Sequence, residues 1–228
     1  MTAIDTASTV DITITPKSPT IGAEISGIHL GDELSDDTIA TIRRALLDYK
    51  VLFFRDQDIS TDQHLAFGRR FGELEVHPFA VNKPDHPEVL AITHDAAPPG
   101  RENGWHSDVT WRLEPSLGSL LRCIEWPPVG GDPLFADMYA AYDGLPQRIK
   151  DRVEGRVARH DFAHFRKLLR LRGASDDEVA EMEARYPNPE HPVIRTHPET
   201  GRKGIYVNNA FTPVSYTHLR AHETALRI

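Results

Sequence analysis

The chain has 228 residues, with 34 acidic against 26 basic side chains and a formal net charge of −8. That balance, with no dense basic stripe, argues against a nucleic-acid binder, and no apolar run approaches the ~18 residues of a membrane span. A hydrophobic content of 39% and a charged content of 26% are those of a globular protein that buries its own core. A single cysteine, Cys123, leaves no intrachain disulfide and fits a reducing compartment. With no charged-then-apolar leader pattern at its start, the chain is expected to be soluble and cytoplasmic.

In chain order, Val10 to Thr15 alternates apolar and polar residues as a half-buried strand does, and Ile21 to Leu30 reads as a second strand interrupted by Gly22 and Gly27. Ser35 can cap a helix whose first turn holds Asp36 and Asp37 and whose apolar face holds Ile39, Ile42 and Leu46. Val51 to Phe54 is a continuous apolar run suited to a buried strand. Ser60 and Gln63 form a capping box for a second helix carrying Leu65, Phe67 and Phe71 and ending at Gly72. Pro-rich loops at Lys83 to Pro87 and Ala96 to Gly100 flank a strand from Val89 to Thr93, and Leu117 to Glu125 reads as another strand, with Cys123 buried and inert inside it. Asp137 to Gly144 and Pro146 to Val153 read as short helices. In His164 to Tyr186 the bases Arg166, Lys167, Arg170 and Arg172 are followed by acids from Asp176 to Glu183, the pattern of a solvated helical hairpin. Val193 to Thr196 and Gly204 to Val207 suit a β-hairpin around Glu199-Thr200-Gly201.

The most informative stretch is Trp105-His106-Ser107-Asp108-Val109-Thr110-Trp111. In an extended chain His106 and Asp108 project from one face. An imidazole beside a carboxylate supplies two of the three ligands of a non-haem Fe(II) facial triad. A structural His-Asp pair is the competing reading. The spacing alone is weak, since the composition gives roughly two chance occurrences of His-x-Asp/Glu in a chain this long. Two others, His86-Pro87-Glu88 and His197-Pro198-Glu199, carry a central proline and read as solvated loops. His160 reads as a buried, hydrogen-bonded histidine and His191 and His197 as structural, while Trp105 and Trp111 suit a core or pocket wall.

These motifs do not stand alone. Ile21-Gly22-Ala23-Glu24-Ile25-Ser26-Gly27, Phe54-Arg55-Asp56-Gln57, Arg70-Phe71-Gly72-Glu73-Leu74, His77-Pro78, Trp105-His106-Ser107-Asp108 and Gly130-Gly131-Asp132 follow one another, then His191 to Pro198 and Val207 to Thr212. In this order the chain resembles the taurine/2-oxoglutarate dioxygenase family (TauD/TfdA). The resemblance implies a mainly β fold with flanking helices (α+β), a double-stranded β-helix or jelly roll, here incomplete. It implies Fe(II) and 2-oxoglutarate, with dioxygen and a small organic substrate, possibly a sulfonate, sulfate ester or aryloxy compound, hydroxylated with release of succinate and CO2. His106 and Asp108 match the first two iron ligands, His77 a position that contacts the substrate's anionic head, and Val109 and Phe211 positions lining the same pocket. No residue is assigned to 2-oxoglutarate.

Departures from the family pattern sharpen these expectations. Pro133 stands where a threonine contacts 2-oxoglutarate, and Ala80 where the taurine-type pattern has a tyrosine. Glu102 aligns with a polar amide and would repel an anionic sulfonate, which weighs against taurine. The family's distal histidine, the third ligand, and the arginine that pairs 2-oxoglutarate find no counterpart in the chain. Residues 1–213 therefore read as the dioxygenase domain without its C-terminal part, and 214–228 as a non-native tail. His218 and His222 in that tail, four apart, are set aside as ligands. Two other readings stay open: a truncated, inactive oxygenase fragment, and a zinc-dependent hydrolase using the same pair. A homo-oligomer is compatible with unpaired strand edges, and residues 163–186 are placed to act as a lid.

Overall fold

The computed structural model describes residues 11–79, 82–93 and 104–212. The chain divides into two compact units, Met1–Leu74 with Leu121–Asp137, and Glu75–Leu120 with Met138–Ile228.

The first unit is built on a three-stranded sheet in the order β1 (Thr13–Pro16), β2 (Ala23–Ser26), β3 (Leu52–Phe54). β1 and β2 pair antiparallel, whereas β2 and β3 run parallel and are joined through helix α1 (Asp36–Tyr49), as a parallel pair requires. Ser35 caps α1 by accepting from the Thr38 N–H at 3.1 Å, with Asp36 and Asp37 at the positive end of the helix dipole. Lys50 ends it in the left-handed conformation (φ 65°). Helix α2 (Thr61–Arg69) begins with the expected capping box: the Gln63 N–H donates to Ser60 Oγ at 3.1 Å, and the Ser60 N–H to Gln63 Oε1 at 2.8 Å. It stops three residues before Gly72. Leu34, Ile39, Ile42 and Phe67 are buried together between the two helices and the sheet.

The second unit carries three two-stranded antiparallel pairs and four helices. The pairs are β4 (Asn82–Lys83) with β5 (His86–Leu90), β6 (Val157–Arg159) with β7 (Glu190–Pro192), and β8 (Ile194–Thr196) with β9 (Lys203–Ile205). Helices α3 (Met138–Asp143) and α4 (Gln147–Val153) are short. Helices α5 (Ala163–Leu171) and α6 (Asp176–Arg185) make the hairpin expected from the charge pattern, and a Ser175/Glu178 capping box starts α6. Hydrogen bonds from Ser175 hold the Glu178 carboxyl below the ordinary carboxylate range. Phe79, Val109, Trp111, Phe162 and Phe211 form the buried core of this unit.

The architecture is a mix of short sheets and helices, and no described strand exceeds five residues. Several local expectations change. His86-Pro87-Glu88 is not a solvated loop but the start of β5, with a register shift between Asn82 and Lys83 that lets a proline into the pair. Leu117 to Glu125 adopts no strand; Leu117, Leu121 and Ile124 are exposed, and Cys123 is exposed with them. β-propensity reports fit to a half-buried pleated surface rather than a backbone preference, so apolar residues without a ladder do not make a strand. Trp105 is exposed, whereas Trp111 is fully buried. Residues 80, 102 and 214–228, including His218 and His222, lie outside the described residues.

Candidate metal and substrate site

The stretch bearing His106 and Asp108 is not a strand. Residues 108–111 form a turn closed by the Arg112 N–H donating to the Val109 carbonyl at 2.9 Å. Val109 takes φ 47° within it, a left-handed conformation that costs a β-branched residue about 1–3 kcal/mol. Burial of the Val109 and Trp111 side chains in the unit's core holds the turn in place. The expectation of an extended chain is thereby corrected, yet the two side chains still meet: His106 Nε2 lies 3.2 Å from Asp108 Oδ1.

The surroundings of this pair constrain its chemistry. His106 Nδ1 lies 2.8 Å from the Gly104 carbonyl, which can only accept, so Nδ1 carries a proton. In a neutral imidazole the Nε2 lone pair then faces a carboxylate oxygen. Two acceptors at 3.2 Å need a positive charge between or beside them, either a second proton or a cation. Ligands on adjacent corners of an octahedron with ~2.1 Å bonds stand about 3.0 Å apart, so the spacing suits a shared ion. Ser119 Oγ donates to Asp108 Oδ2 at 2.7 Å, which orients the carboxylate and leaves Oδ1 toward the histidine. The two side chains are 45% and 58% exposed, so solvent and ions reach them.

His77 and Phe211 complete the neighbourhood. The Phe211 ring stands edge-on to His106, with centroids 6.4 Å apart. His77 packs against Phe79, Trp111 and Phe165, with centroids 6.1, 6.1 and 5.3 Å away. Burial lowers the His77 pKa, the Glu75 and Asp108 carboxylates oppose that shift, and Arg112 adds to it. Its imidazole is therefore neutral at pH 7. Nδ1 accepts from the Phe79 N–H at 3.3 Å, which puts the remaining proton on Nε2. Arg112 is paired with Glu75, which also accepts from Ser116, and lies over the Trp111 and Tyr186 rings.

Beneath the turn runs a buried polar network that the sequence did not announce. Thr110 Oγ1 lies 2.9 Å from His160 Nδ1 and accepts from Asn208 Nδ2 at 3.3 Å. Asn208 Oδ1 accepts from the Ala210 and Phe211 N–H groups, and the Asp161 N–H donates to the Phe211 carbonyl at 2.7 Å. One hydroxyl thus links the segment of Asp108 to the segment of Phe211. His160 is fully buried, stacks on Tyr206, and has its pKa lowered to about 4 by burial and by neighbouring His191. His191 Nε2 is bonded to the Arg112 carbonyl, and His197 Nδ1 accepts from the Glu199 and Thr200 N–H groups, so both are structural.

The structure brings His77, His106, Asp108, Val109 and Phe211 into one region of one unit. Among the described residues no group of three His, Cys, Asp or Glu side chains is placed to hold a metal. Ser119, Thr110, Asn208 and Phe165 escaped the sequence reading. Only Phe165 left a signal there, the helical spacing of Phe162, Phe165 and Leu169.

Known proteins share this pattern. The family model for the taurine catabolism dioxygenase TauD, TfdA family matches residues 13–225, and so runs past residue 213. The (S)-phenoxypropionate/alpha-ketoglutarate-dioxygenase of Sphingobium herbicidovorans is 36% identical over 200 residues, 85% of this chain and 69% of that protein. An alkylsulfatase of Acinetobacter baylyi is 35% identical, over 84% of this chain and 61% of its own length. The crystal structure of a taurine dioxygenase from Burkholderia xenovorans superposes with a TM-score of 0.71 at 35% identity, covering 89% of this chain and 65% of that one. That of AAD-2 in complex with Mn(II) and N-oxalylglycine gives 0.63 at 25%, covering 88% and 71%. The chain spans roughly two thirds of the length of these relatives. On the family match and these identities, the chain belongs to the TauD/TfdA dioxygenase family.

Proposed function

We propose that this protein is an Fe(II)- and 2-oxoglutarate-dependent dioxygenase that hydroxylates a small organic anion on a jelly-roll framework, in the cytoplasm. Substrate, 2-oxoglutarate and O2 would give the hydroxylated product, succinate and CO2. The observation that carries the reading is His106 Nε2 facing Asp108 Oδ1 at 3.2 Å with Nδ1 committed to a carbonyl, a pair that calls for a cation. Relatives named for alpha-ketoglutarate, and one crystallised with Mn(II) and N-oxalylglycine, an isostere of 2-oxoglutarate, support iron chemistry over a zinc hydrolase.

In this reading His106 and Asp108 hold the iron and Ser119 fixes the carboxylate. The metal, when bound, supplies dioxygen activation coupled to decarboxylation of the keto acid. Val109 and Phe211 line the substrate side and exclude water from it. His77, neutral, donates from Nε2 to the substrate's anionic head without presenting a full charge.

The test is succinate formation from 2-oxoglutarate with Fe(II) over a panel of sulfonates, sulfate esters and aryloxyacids. Iron- and 2-oxoglutarate-dependent succinate that vanishes in Asp108→Ala supports the reading; none across the panel, coupled or uncoupled, refutes it. A second reading has its own observation, the lack of a third clustered ligand among the described residues. In that reading the chain holds iron too weakly to turn over. Iron affinity in the millimolar range with no succinate is its expected result.

A further inference from the structure

We infer that Phe165, on α5 of the helical hairpin, is a specificity-determining residue: it closes an aromatic rim beside the candidate metal site and selects anions carrying an aryl body over compact polar ones. The inference rests on the proposed function for the location of the reacting centre. The rim runs from ring to ring. Phe211 stands edge-on to His106 at 6.4 Å, Phe165 stacks on Phe211 at 6.2 Å with planes 19° apart, and His77 lies 5.3 Å from Phe165. Asp108, whose charge acts on His77, completes the circuit.

Phe165 differs from the rings beneath it. Phe79, Phe162, Trp111 and Phe211 are buried and make the floor, whereas Phe165 is only partly buried. A core ring stacked on Phe79 at 5.1 Å would gain from complete burial; one left partly open can offer a face to a ligand. Its helix is pinned, so the ring is pre-placed. Arg166 pairs with Asp161 at 2.7 Å and with Glu183 at 3.3 Å, and Arg172 donates to the Phe79 carbonyl at 3.0 Å. Met182 and Tyr186 pack on the same cluster from α6 and just beyond it. The hairpin is therefore part of the wall.

The charges point the same way. Arg112 is engaged by Glu75, and His77 is a neutral donor. An anionic head meets one hydrogen bond here and no uncommitted guanidinium among Arg112, Arg166 and Arg172. Most binding free energy must then come from apolar contact, which an aryl group stacked between Phe165 and Phe211 supplies and taurine does not.

The experiment measures binding without turnover. Phenoxyacetate and taurine are titrated by calorimetry into the wild-type chain, Phe165→Ala and Phe165→Leu, each without metal and with Mn(II). The expected result is a wild type that prefers phenoxyacetate. Phe165→Ala should weaken phenoxyacetate about tenfold, the worth of a lost aromatic contact, with taurine changed less than twofold. Phe165→Leu, which keeps apolar volume and so guards the fold, should fall between. Equal losses for both ligands, an unchanged phenoxyacetate affinity, or a wild type that prefers taurine or binds neither would overturn the inference. Mn(II) affinity, read in the same titrations, should not respond to Phe165. Its failure in the wild type would count against the metal assignment and leave the ring's preference to be judged on the metal-free data.

Discussion

Replacing Thr110 by valine isolates one hydroxyl in the buried network under the site. Thr110 and His160 are both fully buried, and Oγ1 serves His160 Nδ1 at 2.9 Å and Asn208 Nδ2 at 3.3 Å. Valine keeps the shape, so no cavity term arises. Its second methyl instead leaves both partners unsatisfied, at about 1–3 kcal/mol each for a buried group. His160 is enclosed and meets the full cost; Asn208 is partly buried and meets less, so the total is about 2–4 kcal/mol. His160 Nε2 already has no hydrogen-bond partner, so the ring cannot recover by changing tautomer. Serine keeps the hydroxyl and loses one methyl, at about 1 kcal/mol. Urea unfolding monitored by near-ultraviolet dichroism reads both. With a slope of about 3 kcal/mol per molar for a chain of this size, Thr110→Val should lower the midpoint by about 1 M and Thr110→Ser by about a third of that. A valine variant as stable as wild type, or less damaging than serine, would refute the claim that the hydroxyl organises this core.

Other outcomes follow from the same geometry. The folded-state pKa of His160, about 4, lies below the ordinary value near 6.5, so the unfolded chain binds the extra proton. Stability from this group is complete above pH ~6.5 and falls as pH drops toward 4, by about 3 kcal/mol in all; His160→Gln should flatten that part of a pH series of unfolding midpoints. Ser119→Ala removes the donor to Asp108 Oδ2 and should weaken Mn(II) binding by calorimetry about 10- to 100-fold, the usual range for a ligand's supporting hydrogen bond, with the unfolding midpoint nearly unchanged at this exposed position.

How much was legible follows from the range of the forces. The starts of α1, α2 and α6 are set by Ser35, Ser60 and Ser175 bonding to backbone N–H groups three residues on, so a short window of sequence contains them. The α5–α6 hairpin likewise follows from local charge order. The network through Thr110 and Asn208 joins residues 98 apart, and Ser119 reaches Asp108 across 11; no local pattern carries either. Val109 illustrates the opposite failure. A β-branched residue between Asp108 and Thr110 reads as strand, and burial against Trp111 and Phe211 overrides that preference to give a left-handed turn. His106 and Asp108 meet because the turn brings together what strand alternation was expected to align. The right pair was named for a geometry the backbone does not adopt.

The central claim is that His106 and Asp108 together hold a divalent iron. An anaerobic Fe(II) titration of the wild-type chain, His106→Ala and Asp108→Ala, followed by calorimetry, tests it most directly. One iron per chain, with affinity reduced at least 100-fold in each variant and unfolding midpoints within about 0.5 kcal/mol of wild type at these exposed positions, is the predicted result. Iron bound equally well by the wild type and both variants, or by none of them, would contradict it.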